Sequence, residues 1–147
     1  MTTRIICVGN RLAPGDDAGP RVFDRLAQTP LPPGVEAIEG GLMGLDMLGL
    51  MEGAERIIFV DAVAGFAPGG GVKVMDALET GGELSAGYGH GGGLSFLLRV
   101  LPAVWEGVPP EVLLVGIERP ADEQSVARAA DVCLGLAGKG NEHEFLA

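Results

Sequence analysis

The chain has 147 residues, 47% of them hydrophobic, and a formal net charge of −10 from 10 Lys and Arg against 20 Asp and Glu. So acidic a chain lacks the cations that neutralise phosphates, which argues against nucleic acid as a partner and against an anionic membrane surface. The length fits one domain over residues 1–147, with enough apolar material to fill a core. The 25 Gly and 10 Pro are scattered between apolar runs, as turns joining short elements would be.

No apolar stretch approaches the ~20 residues of a membrane span. The opening residues lack the apolar region and small-residue cleavage site of a signal peptide. The two cysteines, Cys7 and Cys133, lie in apolar periodic segments, where Cys acts as a small buried hydrophobe rather than part of a disulfide framework. These features lead us to expect a soluble protein of a reducing cytoplasm.

In chain order, residues 4–8 form an apolar run closed by Gly9-Asn10, the pattern of a strand buried on both faces and then a turn. After a loop over 11–15, Asp16-Asp17-Ala18-Gly19-Pro20 has the acids and proline of a first helical turn, and Val22, Phe23, Leu26 and Ala27 follow helical spacing until Pro30, Pro32 and Pro33. Residues 35–38 form a second strand, ended by Glu39-Gly40-Gly41. Leu45, Leu48 and Met51 space as a second helix, and residues 56–60 form a third strand with Asp61 at its carboxyl end.

The alternation then breaks. Phe66-Ala67-Pro68-Gly69-Gly70-Gly71 is too short and Gly-rich for a helical crossover, so residues 72–75 are expected to form an antiparallel edge strand. Residues 80–93 read as a long Gly-rich loop carrying His90. Leu94, Leu97, Leu98, Leu101 and Val104 make a helical stripe, 112–117 the last strand, and Val126, Ala129, Ala130, Cys133, Leu136 and Ala137 one face of a final helix. The polar stretch 139–147 is expected to be a frayed tail. The sum is an α/β fold: a mainly parallel five-stranded twisted sheet, one antiparallel edge strand, and helices on both faces in three layers.

Ligands of such sheets bind outside the carboxyl ends of the strands. Asp16 follows the first strand by a short loop, Asp61 ends the third, and His90 lies between glycines that let its loop fold over the same rim. Two carboxylates and an imidazole are a plausible open metal site with mixed oxygen and nitrogen donors, which suits Ni, Zn, Co or Mn without choosing among them. Each residue also has a structural reading. Asp16 is equally placed to cap the helix, or Asp17 caps it and leaves Asp16 free. Asp61 ends a run so apolar that its charge needs a partner, yet it also fits a satisfied turn. His90 fits a solvated loop, and His143, between Glu142 and Glu144, a solvated tail. Cys7-Val8-Gly9-Asn10 ends the first strand as a nucleotide-binding turn would, but that turn lacks the G-x-G-x-x-G spacing, and no G-K-[ST] or G-x-S-x-G motif is present.

Taken in order, Ile6-Cys7-Val8-Gly9-Asn10, the acidic pair with Gly19-Pro20, Glu39-Gly40-Gly41, Ile58-Phe59-Val60-Asp61-Ala62, His90 before the Leu-rich helix, and Leu114-Val115-Gly116-Ile117 near Pro120 resemble one family. These are the hydrogenase maturation proteases, which trim the C-terminal extension from the large subunit of nickel–iron hydrogenases. The resemblance runs to about residue 138, and its specificity lies in order and spacing rather than in any single piece. It implies a cytoplasmic endopeptidase acting on a precursor large subunit that already holds nickel. Asp16, Asp61 and His90 would contact that nickel, with Asp16 and Asp61 also catalytic by an aspartic-type or metal-assisted route. Nickel would arrive with the substrate, and other divalent cations would fit the same donors.

The sequence departs from the family pattern in two places. The family commonly reads Asp-Asp-Gly-x-Gly, whereas Gly15-Asp16-Asp17-Ala18-Gly19 stands here. Counting from Asn10 and back from Gly19 both select Asp16; aligning on the second acid selects Asp17. Glu39 stands where the family often has Asp, and is an accessory candidate together with Asp17. The rival readings are a non-catalytic metal-sensing chaperone for a metalloenzyme precursor and a cofactor-binding α/β domain.

Overall fold

In the computed structural model, residues 1–41, 45–77 and 93–138 are described. The elements are β1 (Thr3–Val8), α1 (Ala18–Ala27), β2 (Val35–Gly41), α2 (a 3-10 turn, Leu45–Met47, running into the helical turn Leu48–Met51) and β3 (Arg56–Val63). They continue with β4 (Val72–Asp76), α3 (Gly93–Val104), β5 (Glu111–Glu118) and α4 (Glu123–Ala137). One five-stranded sheet has the order β2-β1-β3-β5-β4. β1 pairs in parallel with β2 and β3, and β3 with β5, while β4 runs antiparallel to β5 at the edge. The expected α/β architecture and its reversed edge strand are therefore present.

Alternating residues of the inner strands face opposite layers. Ile6, Val8, Phe59, Val63 and Leu114 pack with Met51 of α2 and with Leu94, Leu97, Leu98 and Leu101 of α3. Ile5, Cys7, Ile58, Val60, Leu113 and Val115 pack with Val22 and Leu26 of α1 and with Val126, Ala129 and Cys133 of α4. Both faces are covered, which is why these strands are near-continuous apolar runs. Cys7 and Cys133 are buried free thiols.

Two elements differ from expectation in ways that matter for the site. β3 does not stop at Val60. Its ladder with β5 continues through Asp61↔Gly116, Ala62↔Ile117 and Val63↔Glu118, and all eight of its residues are buried. β1 leaves β3 earlier, the last pair being Cys7↔Val60. Asp61 is thus a buried in-strand residue, paired with β5 but past the last β1 pair. α1 begins at Ala18, so the acidic pair precedes the helix instead of forming its first turn. Asp17 takes the N-cap position without a side-chain cap hydrogen bond. Among the described residues no helix is long and apolar enough to cross a membrane. The expected loop carrying His90 and the expected tail over 139–147 lie outside the described residues, as does His143.

Candidate active site

The chain leaves β1 toward β2 by way of α1, on one face, and crosses back to β3 by way of α2, on the other. The gap between the carboxyl ends of β1 and β3 is therefore the point where strand order reverses, and adjacent loops part there to open a crevice. Close packing brings α1 to that gap. A Cβ on Gly19 would stand 2.1 Å from the Val8 carbonyl oxygen and 2.9 Å from that of Val60, so only glycine lets the helix start against both strand ends.

The loop between β1 and α1 is tied to itself. Gly9 adopts φ +142°, and a Cβ there would meet the Asp16 carbonyl oxygen at 2.3 Å. The Asn10 amide donates both to that carbonyl and to Asp16 Oδ2, each at 3.0 Å. Asn10 Oδ1 accepts from the Leu12 amide, and the Asp16 amide donates to the Ala13 carbonyl. The result holds Asp16 buried at the crevice, while its neighbour Asp17 is half-buried.

Asp61 is 2% exposed. Its Oδ1 accepts from the Ala62 amide at 2.8 Å. Burial pushes its pKa well above the usual carboxylate range, and the nearby Asp16 charge pushes it further; the Ala62 N–H and the Arg119 cation oppose both effects only in part. Burial and the neighbouring Asp16 charge thus favour the protonated form of Asp61, which suits this carboxyl to general acid–base work.

Three further residues shape this rim, and the sequence reading passed over them. Arg119, just past β5, places Nη2 3.7 Å from Asp16 Oδ1. Glu118 accepts hydrogen bonds from the Gly65, Phe66 and Ala67 amides at 2.7–2.9 Å. Burial pushes its pKa up, but those three donors outweigh it and leave the carboxyl below its ordinary value. Arg11 grips Asp24 through two hydrogen bonds, at 2.6 and 2.8 Å, and Glu39 through two more, at 2.5 and 3.1 Å. Both Glu39 oxygens are thereby engaged by Arg11. The usable signal for the first two was the charged pair Glu118-Arg119 closing an apolar strand, the same pattern that marks Asp61.

Of the expected site residues, Asp16 and Asp61 share the crevice, Asp17 stands at the helix start, Glu39 lies beyond β1 in the Arg11 clamp, and His90 is outside the described residues. Among the described residues no group of three His, Cys, Asp or Glu side chains is arranged to hold a metal ion.

A family model for hydrogenase maturation proteases (HycI) matches residues 20–128. The chain belongs to the hydrogenase maturation protease family. The matched span takes in Asp61 and His90 and begins just after Asp16. The chain is also 39% identical over 74 residues to the hydrogenase expression/formation protein HupD of Rhodobacter capsulatus, a match over 49% of this chain and 35% of that relative's length. Its fold superposes on the hydrogenase maturating endopeptidase HybD from E. coli with a TM-score of 0.76, at 26% identity, covering 95% of this chain and 94% of HybD. A solution structure of an endopeptidase from Escherichia coli gives a TM-score of 0.77, also at 26% identity, over 97% of this chain and 96% of that one. At the level of family and fold the homologues are endopeptidases, and the resemblance read from the sequence is the one these comparisons return.

Proposed function

We propose that this chain is the endopeptidase that removes the C-terminal extension of a nickel-loaded precursor of a nickel–iron hydrogenase large subunit. The observation that carries this reading is the acid pair: in a member of this family, Asp61 is buried inside β3 beside Asp16 at the strand-order reversal. Asp16, Asp61 and His90 contact the nickel of the precursor, so a loaded precursor gains an interaction that an empty one cannot make. The nickel is part of the substrate, and as a Lewis acid it polarises groups near the scissile bond. Asp61, with its raised pKa, is the group suited to hold and pass a proton when water attacks the peptide carbonyl. The expected location is the cytoplasm, where the precursor is assembled.

The test is incubation with nickel-loaded and nickel-free precursor, followed by mass measurement of the large subunit. Shortening of the loaded form alone is expected. Stable binding without shortening would replace this reading with that of a metal-sensing chaperone. In the same assay His90→Ala is expected to abolish shortening while thermal unfolding stays nearly unchanged. A large loss of stability would make His90 structural instead.

A further inference from the structure

Arg11 stands in the loop that carries Asp16, and its guanidinium joins that loop to two other elements. Nη1 and Nη2 donate to the two Asp24 oxygens of α1 at 2.8 and 2.6 Å, and Nε and Nη2 to the two Glu39 oxygens of β2 at 2.5 and 3.1 Å. Each carboxylate is held through both oxygens, a fork that fixes direction as well as distance. A single exposed ion pair contributes little, but a two-pronged arginine within a network is the exception. Arg11, Leu12, Pro14 and Gly15 are exposed, so this stretch of loop is not braced by burial. Hydrogen bonds within the loop carry the constraint onward: the Leu12 amide donates to Asn10 Oδ1, the Ala13 amide to the Asn10 carbonyl and the Asp16 amide to the Ala13 carbonyl.

Glu39 is turned away from the acid pair. It pairs in register with Cys7, which packs in the layer of α1 and α4. Phe59 and Val63, the alternate residues on either side of Asp61, pack in the opposite layer with α2 and α3. By that alternation Glu39 and Asp61 belong to opposite faces of the sheet. Cys7 also pairs with Val60, so two strand spacings, about 10 Å, separate Glu39 from β3.

We propose that Arg11 is a positioning residue of this active site: by tying the β1–α1 loop to α1 and to β2 it holds Asp16 in place beside Asp61, and Glu39 acts only through it. The proposal rests on the reading that Asp16 and Asp61 process the precursor. It removes Glu39 from the groups that touch the substrate and makes it an anchor of the loop.

The experiment pairs a substrate-free measurement with the processing assay. Amide hydrogen exchange over residues 10–16 and the kinetics of shortening of nickel-loaded precursor are measured for the wild type, Arg11→Met, Arg11→Lys, Asp24→Ala, Glu39→Ala and Arg11→Met with Glu39→Ala. In Arg11→Met the Leu12, Ala13 and Asp16 amides are expected to exchange about fivefold faster, with those of β1 and α1 unchanged. Its kcat per folded molecule is expected to fall about tenfold, with KM changed by less than about twofold. Arg11→Lys keeps the charge without the fork and is expected to fall between the two. Asp24→Ala is expected to loosen the loop although alanine is the better helix former. Glu39→Ala is expected to slow the wild type and to add nothing in the Arg11→Met background. Unchanged exchange in Arg11→Met overturns the proposal, and so does faster exchange with unchanged kcat. An equal slowing by Glu39→Ala in both backgrounds would put Glu39 on the substrate itself and overturn its role as anchor. If the wild type leaves the loaded precursor uncut while exchange responds as expected, the proposed function fails and takes the positioning role with it, and the loop clamp stands. Should Arg11→Met not fold, Arg11→Lys and Asp24→Ala carry the same test.

Discussion

Gly19 at the start of α1 lies so close to Val8 at the end of β1 that a single added methyl group would fall 2.1 Å from the Val8 carbonyl oxygen. Neither partner can yield, since one is helix backbone and the other strand backbone. Gly19→Ala is therefore expected to destabilise the fold by on the order of 3 kcal/mol or more, through backbone displacement. Gly49→Ala is the control: Gly49 is exposed in α2 and its Cβ would meet nothing within 4 Å. Urea unfolding of both variants, compared at the midpoint, checks the contrast.

The second prediction concerns pH. Burial, followed by the Asp16 charge, raises the folded pKa of Asp61 well above the usual carboxylate range. The folded protein therefore holds that proton more tightly than the unfolded chain. The contribution to stability is fully present below the unfolded value and is lost as pH climbs through the folded one. Asp61→Asn keeps an oxygen for the Ala62 amide and abolishes this loss. Its melting temperature minus that of the wild type is expected to be larger at about pH 8 than at about pH 4, while processing of the precursor disappears. A difference independent of pH would mean that Asp61 carries no raised pKa.

Glu118 supplies the third. Its carboxylate is the acceptor for three consecutive amides of the turn between β3 and β4. Glu118→Ala strands all three donors and is expected to cost about 3 kcal/mol. Because the folded pKa of Glu118 lies below its ordinary value, the stabilisation is present above the unfolded pKa and fades as pH falls through the folded one. Unfolding measured against pH for wild type and variant should therefore converge on the acid side.

The fourth ranks two neighbouring acids. Asp16 is buried and its Oδ2 accepts from Asn10, whereas Asp17 stands at the N-cap position without capping the helix. Asp16→Asn is expected to impair precursor processing far more than Asp17→Asn, with both proteins folded by circular dichroism. The reverse order would move the metal contact to Asp17.

Much of this architecture was legible in the residues. The inner strands are so apolar that they could only be covered on both sides, and the Pro- and Gly-rich stretch after β3 is too short to carry a helix across the sheet, which gave away the antiparallel edge strand. The end of β3 was misplaced because a charged residue reads as a strand terminus. Asp61 stays in the ladder, paired with Gly116 of β5, where an added Cβ would crowd Val63 and Met75 at 3.0–3.1 Å. The start of α1 was set too early for a related reason: acids before a helix look like its first turn, and only packing against Val8 and Val60 decides where the helix begins. Glu118 and Arg119 carried a signal, a charged pair closing an apolar strand, but their partners lie 51 or more positions away in the chain, and those of Arg11 lie 13 and 28 away, which periodicity does not encode.

The placement of Asp61 inside β3 has a mechanical consequence. A carboxyl on a loop can follow its target; one carried by a strand still laddered to its β5 neighbour has no slack to do so. Under the proposed function the scissile bond has to be delivered to this acid, and whatever adjustment the encounter requires falls to the incoming polypeptide. On that reading, tolerance for misaligned substrates is expected to be low, with the fidelity of the cut following from how rigidly the sheet holds one oxygen in place.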